Sequence, residues 1–319
     1  MSVFPVVMAA RNRDDQIRGK SSSGGIFYLL AEYVISQDGV VFGARYDETW
    51  QVIHDYAENM EQVQLFLGSK YVQSDMGTCY RKAREFLELG RKVLFSGTPC
   101  QIYGLKSFLS KQYENLMTVD IICHGVPSRS VWREYLKRCA SGRKITNVNF
   151  REKTEGWLLF SLKMVFADGT VYRKNQTEDL YMKGFLQDIY LRPSCYECRF
   201  KGLKRESDIT LADLWGCQNI LPDMFDDRGT SLVLIQSGLG MHVWEAVHQH
   251  IDSCRIETED YQQYNPNMMI SAVKSDKRRL FYQKGLASIE KLTKPPFRLH
   301  RRILGKIKKL VKKMFKKSE

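Results

Sequence analysis

The sequence predicts a mixed α/β fold with a parallel-type α/β core, an antiparallel meander and a helical C-terminal region. Apolar strand-like runs alternate with helical patterns up to about residue 140, short alternating strands follow over 145–175, and residues 261–319 are helical in pattern and increasingly basic. Strand–helix alternation is typical of parallel sheets covered by helices, whereas closely spaced strands are typical of antiparallel hairpins.

The α/β core is predicted from the order of its elements. Residues 1–20 look irregular and polar, and the apolar-periodic run 26–36 then predicts a helix that Gly39 ends. Further strands are predicted at 40–46, 92–97 and 116–123, and further helices at 78–89, from Thr98-Pro99-Cys100 through Leu109, and at about 129–139.

The second half of the chain has a different pattern. Segments NVNF, LLFSLKMVF and TVYR predict the meander, a Cys-rich loop follows at 193–205, and strands are predicted at 208–215 and 231–236 before a helix from Met241. A soft boundary near residue 145 divides the chain into parts 1–144, 145–260 and 261–319. Because cysteines lie on both sides of that boundary, we expect the first two parts to close on one site.

Composition and charge exclude several classes of protein. The 319 residues are 43% hydrophobic, no apolar run reaches the ~18–20 residues of a membrane-spanning helix, and no basic flank precedes the short N-terminal apolar stretch. We therefore expect a cytoplasmic protein without a secretory signal. Residues 294–319 carry +10 of the net charge of +13, so a general nucleic-acid-binding surface is not supported.

Cysteines are the main chemical signal, because in a cytosolic chain of this size they indicate metal binding or redox chemistry rather than disulfides. Two of the eight cysteines, Cys195 and Cys198, form a C-x-x-C pair after Pro193. This spacing lets both sulfurs turn toward one metal. The pair alone is equally compatible with a redox dithiol or with chance.

Cys100 and Cys123 strengthen the metal-binding interpretation. Both follow predicted buried strands and lie in turns marked by Gly and Pro, at strand ends where ligands usually bind in open α/β sheets. With Cys195 and Cys198 they make a four-thiolate site suited to Zn or a 4Fe–4S cluster. The alternative is that Cys100 and Cys123 are small buried hydrophobic residues. The remaining cysteines are assigned to packing or surface: Cys79, Cys139, Cys217 and Cys254.

Six segments that include these residues resemble the beta-subunit family of coenzyme F420 hydrogenases and dehydrogenases. In order across about 200 residues they are KSSSGGIF (20–27), GSKYVQS (68–74), VLFSGTPCQIYGLKSFL (93–109), DIICHGVPS (120–128), LRPSCYECRFKG (191–202) and SDITLADLWG (207–216). The resemblance implies FAD, a 4Fe–4S cluster on the four cysteines, and electron transfer between the flavin and a partner.

The resemblance also assigns flavin contacts to the SSSGG and KYVQS segments. The residues concerned are Ser22, Ser23, Gly24, Gly25, Lys70, Tyr71, Gln73 and Ser74. The serine–glycine turn precedes a predicted helix whose unpaired N–H groups attract phosphate, although an ordinary serine N-cap gives the same pattern. Lys70 and Tyr71 would contact the flavin by charge and ring packing, or be a solvated lysine and a core tyrosine.

One histidine and two aspartates complete the predicted site. His124 follows a predicted cluster ligand and is the candidate catalytic residue. It would donate protons during flavin reduction, or it would orient a neighbouring group. Asp208 and Asp213 flank a predicted strand near the C-x-x-C pair and are expected to brace Arg or backbone groups.

The N-terminal part departs from many members of the family. No cysteine precedes Cys79, so the ferredoxin-like region with C-x-x-C-x-x-C-x-x-x-C-P runs is missing. The sequence is therefore identified as a short member, and a separate ferredoxin-like electron carrier is implied. We expect 1–144 to bind the flavin, 145–260 to complete the cluster site, and 261–319 to be helical with a basic tail.

The tail at 301–317 predicts an amphipathic helix. Its apolar positions occupy one arc of roughly 140°, and lysines fill the rest: Ile303, Leu304, Ile307, Leu310, Val311, Met314 and Phe315. This pattern indicates an interfacial helix on an anionic membrane, which would place the protein peripherally at the inner membrane face. There are two alternatives: the apolar face packs on the protein's own body, or the tail is a solubilising terminus.

These patterns predict an iron–sulfur flavoprotein oxidoreductase. It would pass electrons between a reduced carrier, ferredoxin-like or deazaflavin-type, and an acceptor. Two alternatives belong to other classes: a non-enzymatic, zinc-stabilised binding module, and a peripheral membrane scaffold that acts through its tail.

Overall fold

Two β-sheets organise the residues that the structure, a computed structural model, describes, namely 4–257 and 259–294. The strands are β1 (Val6–Asn12), β2 (Val40–Tyr46), β3 (Val52–Ala57), β4 (Val93–Gly97), β5 (Leu116–Ile121), β6 (Ile145–Glu152), β7 (Ser161–Phe166), β8 (Val171–Asn175), β9 (Ile209–Asp213), β10 (Ser231–Ile235) and β11 (Ile251–Arg255). A large eight-stranded sheet has the order β11-β1-β10-β9-β5-β4-β2-β3, and a small three-stranded sheet has the order β6-β7-β8.

Helices connect and cover these strands. They are α1 (Asp15–Lys20), α2 (Ile26–Ile35), α3 (Met60–Val63), α4 (Cys79–Glu88), α5 (Pro99–Leu109), α6 (Arg129–Ala140), α7 (Leu180–Leu186), α8 (Cys217–Ile220), α9 (Gly238–Val247), α10 (Tyr261–Tyr264), α11 (Lys277–Lys284) and α12 (Ile289–Thr293). Short 3-10 helices occur at Gln64–Phe66, Pro193–Cys195, Pro222–Met224, His248–His250, Pro266–Met268 and Leu286–Ser288.

The large sheet combines parallel and antiparallel pairing. Strands β2, β4, β5 and β9 are parallel neighbours, whereas β3, β10, β1 and β11 join in antiparallel pairs. Strand β5 is buried on both faces except at its last residue, as expected for the centre of a covered sheet. Because β4, β5 and β9 run in the same direction, the turns that follow them meet at one edge.

Helices lie on both faces of the large sheet. Helices α2 and α9 share an apolar cluster with one face, through residues such as Leu30 and Trp244. Helices α4 and α5 share a cluster with the other face, through residues such as Ala83 and Leu105. The small sheet packs with α6 and α7 around Trp132 and with α11 and α12, which forms a separate core.

The predicted fold class is confirmed, and most predicted elements lie within two or three residues of the observed ones. The prediction for residues 1–20 is wrong, because this segment contains β1 and α1 rather than irregular chain. Asp14 accepts hydrogen bonds from the backbone N–H groups of Gln16 and Ile17, and this N-cap starts α1. Strands β3 and β11 were not predicted either. Both are short strands at the edges of the large sheet, where β3 pairs with β2 and β11 pairs with β1.

The predicted membrane-binding tail, 301–317, lies outside the described residues, so its helix and its association with anionic lipid stay predictions. Among the residues that the structure covers, no helix combines the length and apolar character needed to span a membrane. The three-part division of the chain also stays a proposal.

Asp208 joins three elements of the large sheet and its helices. Its Oδ2 accepts hydrogen bonds from the backbone N–H of Thr118, at 2.8 Å, and from Thr118 Oγ1, at 2.7 Å. Its Oδ1 accepts a hydrogen bond of 2.6 Å from Ser237 Oγ. Ser237 in turn caps α9. The carboxylate therefore connects β5, β9 and the start of α9, which is the bracing role expected from the sequence.

We predict that Asp208→Ala lowers the free energy of unfolding by about 3 kcal/mol, because it removes three hydrogen bonds to one carboxylate and leaves the Thr118 donors without that partner. Chemical denaturation measures this change. The matched control is Asp223→Ala, at an exposed aspartate, which should change stability by less than about 0.5 kcal/mol. Equal effects of the two substitutions would contradict the bracing role.

Candidate redox site

The four cysteines proposed as cluster ligands lie in three segments at one edge of the large sheet. Cys100 is in the first turn of α5, directly after β4, and Cys123 follows β5 by two residues. Cys195 ends a 3-10 helix, and Cys198 lies in the loop after it. Because β4 and β5 are parallel neighbours, the first two cysteines are brought to adjacent turns.

Backbone contacts hold the Cys123 turn against the Cys-rich loop. An isolated antiparallel bridge joins Pro127 to Leu191. Gly125 has φ of 149°, and a Cβ there would lie 2.7 Å from Leu191 Cδ1 and 3.3 Å from Cys195 Cβ. Glycine at this position therefore permits a closeness between the two segments that other residues would prevent.

The cysteine side chains influence one another electrostatically. Burial raises the pKa of Cys123 to about 12, with Lys201 acting to lower it and Cys100 and Cys195 adding to the rise. Burial also raises the pKa of Cys195, with a further upward effect from Cys100 and Cys198. The adjacent segments that bear the four cysteines are here called the cysteine neighbourhood.

Lys201 is the cation of this neighbourhood. Its Nζ donates hydrogen bonds to the carbonyl oxygens of Cys123, at 2.6 Å, and Asn267, at 2.7 Å. Burial lowers the pKa of Lys201, while Cys123, Cys198 and Cys195 act to raise it. The backbone N–H of Val126 also points at Cys195 Sγ, at 3.5 Å. Positive charge and N–H donors around sulfur are what a thiolate cluster needs.

No three His, Cys, Asp or Glu side chains within residues 4–257 and 259–294 stand close enough to hold a single metal ion. Zinc binds thiolates at about 2.3 Å, which would require the sulfurs to be almost in contact. An iron–sulfur cluster spans a wider space between its ligands. The donor set, four thiols with a cation and an N–H group, fits such a cluster, and the cluster stays a prediction.

The SSSGG turn is packed against its own chain. A Cβ on Gly24 would lie 2.4 Å from the Ala10 carbonyl oxygen, and Gly25 has φ of 82°. Ser23 Oγ donates a hydrogen bond of 2.9 Å to the Thr230 carbonyl. The two glycines are therefore explained by packing and backbone conformation. Helix α2 begins after Gly25 without a side-chain cap, so its first N–H groups retain the capacity to attract an anion.

A cavity of about 190 Å³ lies next to this turn. Ser69, one of the residues that line the cavity, donates hydrogen bonds to Ser22 Oγ through its backbone N–H and its hydroxyl. The lining carries two lysines and several amide groups and includes Lys20, Gln64, Gly68, Ser69, Lys70, Asn147 and Asn149. Such a lining is suited to an anion. The volume is below the ~300 Å³ or more of a complete small-molecule site, so it matches a phosphate-sized part of a larger ligand.

Lys70 and Tyr71 have roles that the sequence described only in part. Lys70 Nζ donates to the carbonyl oxygens of the turn before it, at 3.0–3.3 Å, and burial lowers its pKa to about 7. Tyr71 packs against Phe150 and Phe185, with ring centroids 5.5 and 4.9 Å away. Both residues thus stabilise the wall of the cavity, and neither is a solvated surface residue.

Ser74 belongs to a hydrogen-bonded chain that the sequence did not predict. Gln101 Nε2 donates to Ser74 Oγ at 2.8 Å, and Ser74 Oγ lies 3.0 Å from Nδ1 of buried His54. His54 Nε2 lies 2.7 Å from the Ser96 carbonyl, which can only accept. His54 is therefore protonated on Nε2 and accepts from Ser74. Gln73 contributes its backbone N–H to the Pro127 carbonyl, at 3.3 Å.

His124 is held in place from both ring nitrogens. Its Nε2 lies 2.7 Å from Asp188 Oδ1, and its Nδ1 lies 2.9 Å from Asn267 Nδ2. Asn267 also accepts the Lys201 hydrogen bond through its carbonyl oxygen. The histidine therefore has a carboxylate partner and a connection to the cysteine neighbourhood, an arrangement that suits either of its predicted roles.

Arg151 is the main residue that sequence reasoning missed. Its two Nη atoms each lie 2.9 Å from an oxygen of Asp213, and its side chain is 1% exposed. It also donates to Tyr71 Oη and the Ser22 carbonyl, both at 3.0 Å. One guanidinium thus connects the SSSGG and KYVQS segments with β9.

The missed residues had weak signals in the sequence. Lys201 lies three positions after Cys198, inside a segment that resembles the family, and this proximity was the available clue. Arg151 follows Phe150 in a meander strand, where a long cation gives no local indication of burial. His54 lies on β3, which was not predicted.

Comparison with known proteins identifies related chains. Residues 90–263 match the family model that describes the C terminus of the coenzyme F420 hydrogenase/dehydrogenase beta subunit. Among solved structures, the chain is similar to one from the F420-reducing NiFe hydrogenase complex of Methanosarcina barkeri, with a TM-score of 0.55, 19% identity, and coverage of 83% of this chain and 91% of that chain. At this identity the likeness shows the fold alone. No curated protein matches.

We predict a pH dependence of stability from His54. Burial lowers its pKa to about 4, whereas an unfolded histidine titrates near 6.5. The unfolded state therefore binds more protons between these values, and stability is lost as the pH falls through that window. Between pH 7 and pH 4.5 the loss from this group is about 2–3 kcal/mol.

Unfolding free energies measured at both pH values test this expectation. His54→Gln should reduce the difference between them by about 2–3 kcal/mol. His250→Gln, at an exposed histidine, should keep the wild-type difference. An unchanged pH dependence in His54→Gln would disprove the assignment.

Proposed function

Because the chain belongs to the coenzyme F420 hydrogenase/dehydrogenase beta-subunit family, we propose that it is an iron–sulfur flavoprotein oxidoreductase subunit. It passes electrons between a reduced carrier, ferredoxin-like or deazaflavin-type, and an acceptor. The observation that carries the proposal is that the turns after β4 and β5 and the Cys-rich loop, which together bear the four cysteines, meet at the carboxyl edge of the large sheet, where Lys201 donates to the Cys123 carbonyl oxygen.

Cys100, Cys123, Cys195 and Cys198 are the proposed cluster ligands. When bound, the cluster supplies one-electron transfer and the flavin supplies two-electron chemistry. Lys201 compensates the negative charge of the thiolates, and the Val126 N–H donates toward Cys195 Sγ. Both contacts favour the more reduced, more negative state of the site.

The flavin is proposed to bind between the SSSGG and KYVQS segments. The proposed contacts are Ser22, Ser23, Gly24, Gly25, Lys70, Tyr71, Gln73 and Ser74. Support comes from the uncapped start of α2 and from the cavity lined by Lys20, Ser69 and Asn149, which together suit the pyrophosphate. The phosphates are proposed to lie against the cavity wall, and Gly24 would contribute through the backbone of the turn, because the chain itself fills the space beside its Cα.

His124 is proposed to hold or deliver a proton beside the cluster ligands. Its Nε2 lies 2.7 Å from Asp188 Oδ1 and 3.3 Å from the Phe185 carbonyl oxygen, and Asn267 contacts Nδ1, so the imidazole has a fixed orientation. A histidine with a carboxylate partner is able to carry a proton and to return it. The reduced partner is proposed to be a separate ferredoxin-like protein.

A zinc-stabilised module is the second candidate, because it uses the same four thiols. Membership of the coenzyme F420 hydrogenase/dehydrogenase beta-subunit family favours the cluster. Anaerobic preparation followed by analysis of iron, acid-labile sulfide, zinc and FAD separates the two. Iron with sulfide supports the cluster, and zinc without sulfide supports the module.

We predict that Cys195→Ser and Cys198→Ser each lower bound iron and sulfide to less than half of the wild-type content. Loss of one thiolate removes a quarter of the ligand set and opens the cluster to solvent. Elemental analysis of anaerobic protein measures the content. Cys254→Ser, at an exposed cysteine on β11, is the control and should retain full iron. Full iron in Cys198→Ser would exclude this ligand set.

We predict that Lys20→Glu weakens FAD binding about tenfold or more, because it replaces a cation of the cavity with an anion. Flavin released from purified protein and quantified by absorbance measures occupancy. Lys111→Glu, at an exposed lysine before β5, is the charge-matched control and should keep wild-type occupancy. Lys20 is preferred over Gly25, because the φ of 82° at Gly25 makes any substitution there a test of folding.

A further inference from the structure

Residues 269–282, here called the 269–282 surface, lie against the Cys-rich loop. The backbone N–H of Cys198 donates to Ser271 Oγ at 3.0 Å. Arg278 Nη1 donates to Tyr196 Oη at 3.0 Å, and its guanidinium lies over that ring. These contacts fix the position of the surface relative to the proposed cluster ligands.

The 269–282 surface exposes apolar side chains beside the proposed cluster ligands. Met269, Ile270, Val273, Leu280 and Tyr282 are 44%, 59%, 73%, 37% and 51% exposed. Single exposed apolar residues are ordinary, but five within fourteen positions form a candidate contact area. Met and Tyr are also enriched at the centres of protein interfaces.

Exposed cations lie in the same segment and on the neighbouring loop. Lys274 and Arg279 are exposed on the surface, and Arg192 and Arg199 are exposed on the neighbouring loop. Within residues 4–257 and 259–294 none of these four side chains makes an ion pair, whereas the inward-facing Arg205 pairs with Asp120 at 3.2 Å. A wide, open depression of the surface is lined by Lys274, Arg278, Arg279 and Tyr282, together with Asp276.

We propose that the 269–282 surface is the docking site of an acidic electron-transfer protein. Apolar groups at the centre would supply contact area, and the rim of unpaired cations would select and orient a negatively charged partner. The role of electron donor rests on the proposed function, whereas the docking itself rests on the exposed groups. A redox centre of the docked protein would face the Cys-rich loop.

This arrangement predicts a marked salt dependence. Rim charges act mainly on the rate of association, and salt screens them over ~8 Å at physiological ionic strength. Binding of an acidic partner should therefore be fast at low salt and weaken steeply as salt is added. A basic partner of similar size should be repelled.

Calorimetry on the anaerobic, full-length holoprotein tests the proposal, with an acidic two-cluster 4Fe–4S ferredoxin as probe and basic cytochrome c as the probe of opposite charge. Wild-type protein should bind the ferredoxin at about 50 mM salt and lose affinity at about 500 mM salt. It should not bind cytochrome c at either salt concentration. The Lys274→Glu/Arg279→Glu variant should bind ferredoxin about tenfold more weakly or worse.

The control is Lys111→Glu/Lys144→Glu, which makes the same charge change at exposed lysines outside this surface, and it should bind within about twofold of wild type. Absence of ferredoxin binding at low salt, or equal loss in both double variants, would overturn the proposal. So would a dimer of this chain that Lys274→Glu/Arg279→Glu dissociates, because the surface would then bind a second copy.

Iron, sulfide and FAD contents of each variant separate this proposal from the proposed function. Charge-dependent ferredoxin binding by protein without a cluster would contradict the proposed function and support the docking surface. Full cofactor content together with charge-independent binding would contradict the docking proposal and leave the proposed function unaffected. Val273→Ser adds a second test, since it should weaken ferredoxin binding without changing its salt dependence.

Discussion

The geometry of the candidate site depends on the buried ion pair between Arg151 and Asp213. A charge on a side chain that is 1% exposed is stable only when an opposite charge compensates it, so Arg151 and Asp213 must stay in contact. Arg151 comes from β6 of the small sheet and Asp213 from β9 of the large sheet, and the pair therefore fixes one sheet relative to the other. The further bonds to Tyr71 and Ser22 attach both proposed flavin segments to that junction. Displacement of any of these elements would leave a buried charge without its partner.

The parallel part of the large sheet could be predicted from the sequence, because β4 and β5 are local apolar runs followed by turn residues and helices. The antiparallel part could not. Strand β1 ends in the polar Arg11 and Asn12, and what makes it a strand is its pairing with residues 231–235 and 251–255. Pairing over such a separation leaves no local pattern, whereas propensity and periodicity are local properties.

In the candidate site, too, the sequence identifies some residues from local patterns and does not identify those that depend on distant segments. Cysteine is rare enough, and turn residues distinctive enough, that the sequence alone singles out Cys100, Cys123 and the C-x-x-C pair. The cations near the candidate site, Lys201 and Arg151, do not stand out in the sequence, since they belong to residue types that usually face solvent. Their burial follows from partners contributed by distant segments, such as Asn267 for Lys201. Sequence therefore predicts the chemical groups better than it predicts the charges that tune them.

The position of β1 between β10 and β11 has a consequence for biosynthesis. During synthesis β1 emerges from the ribosome before β10 and β11, which flank it and follow more than 200 residues later. At ~5–20 residues per second, β1 waits roughly ten seconds or more before either neighbour is available. During that time both of its hydrogen-bonding edges are free, and a free edge can recruit a strand from another nascent chain. Closure of the large sheet is therefore a late event, and β1 is the segment on which a chaperone would have most to protect.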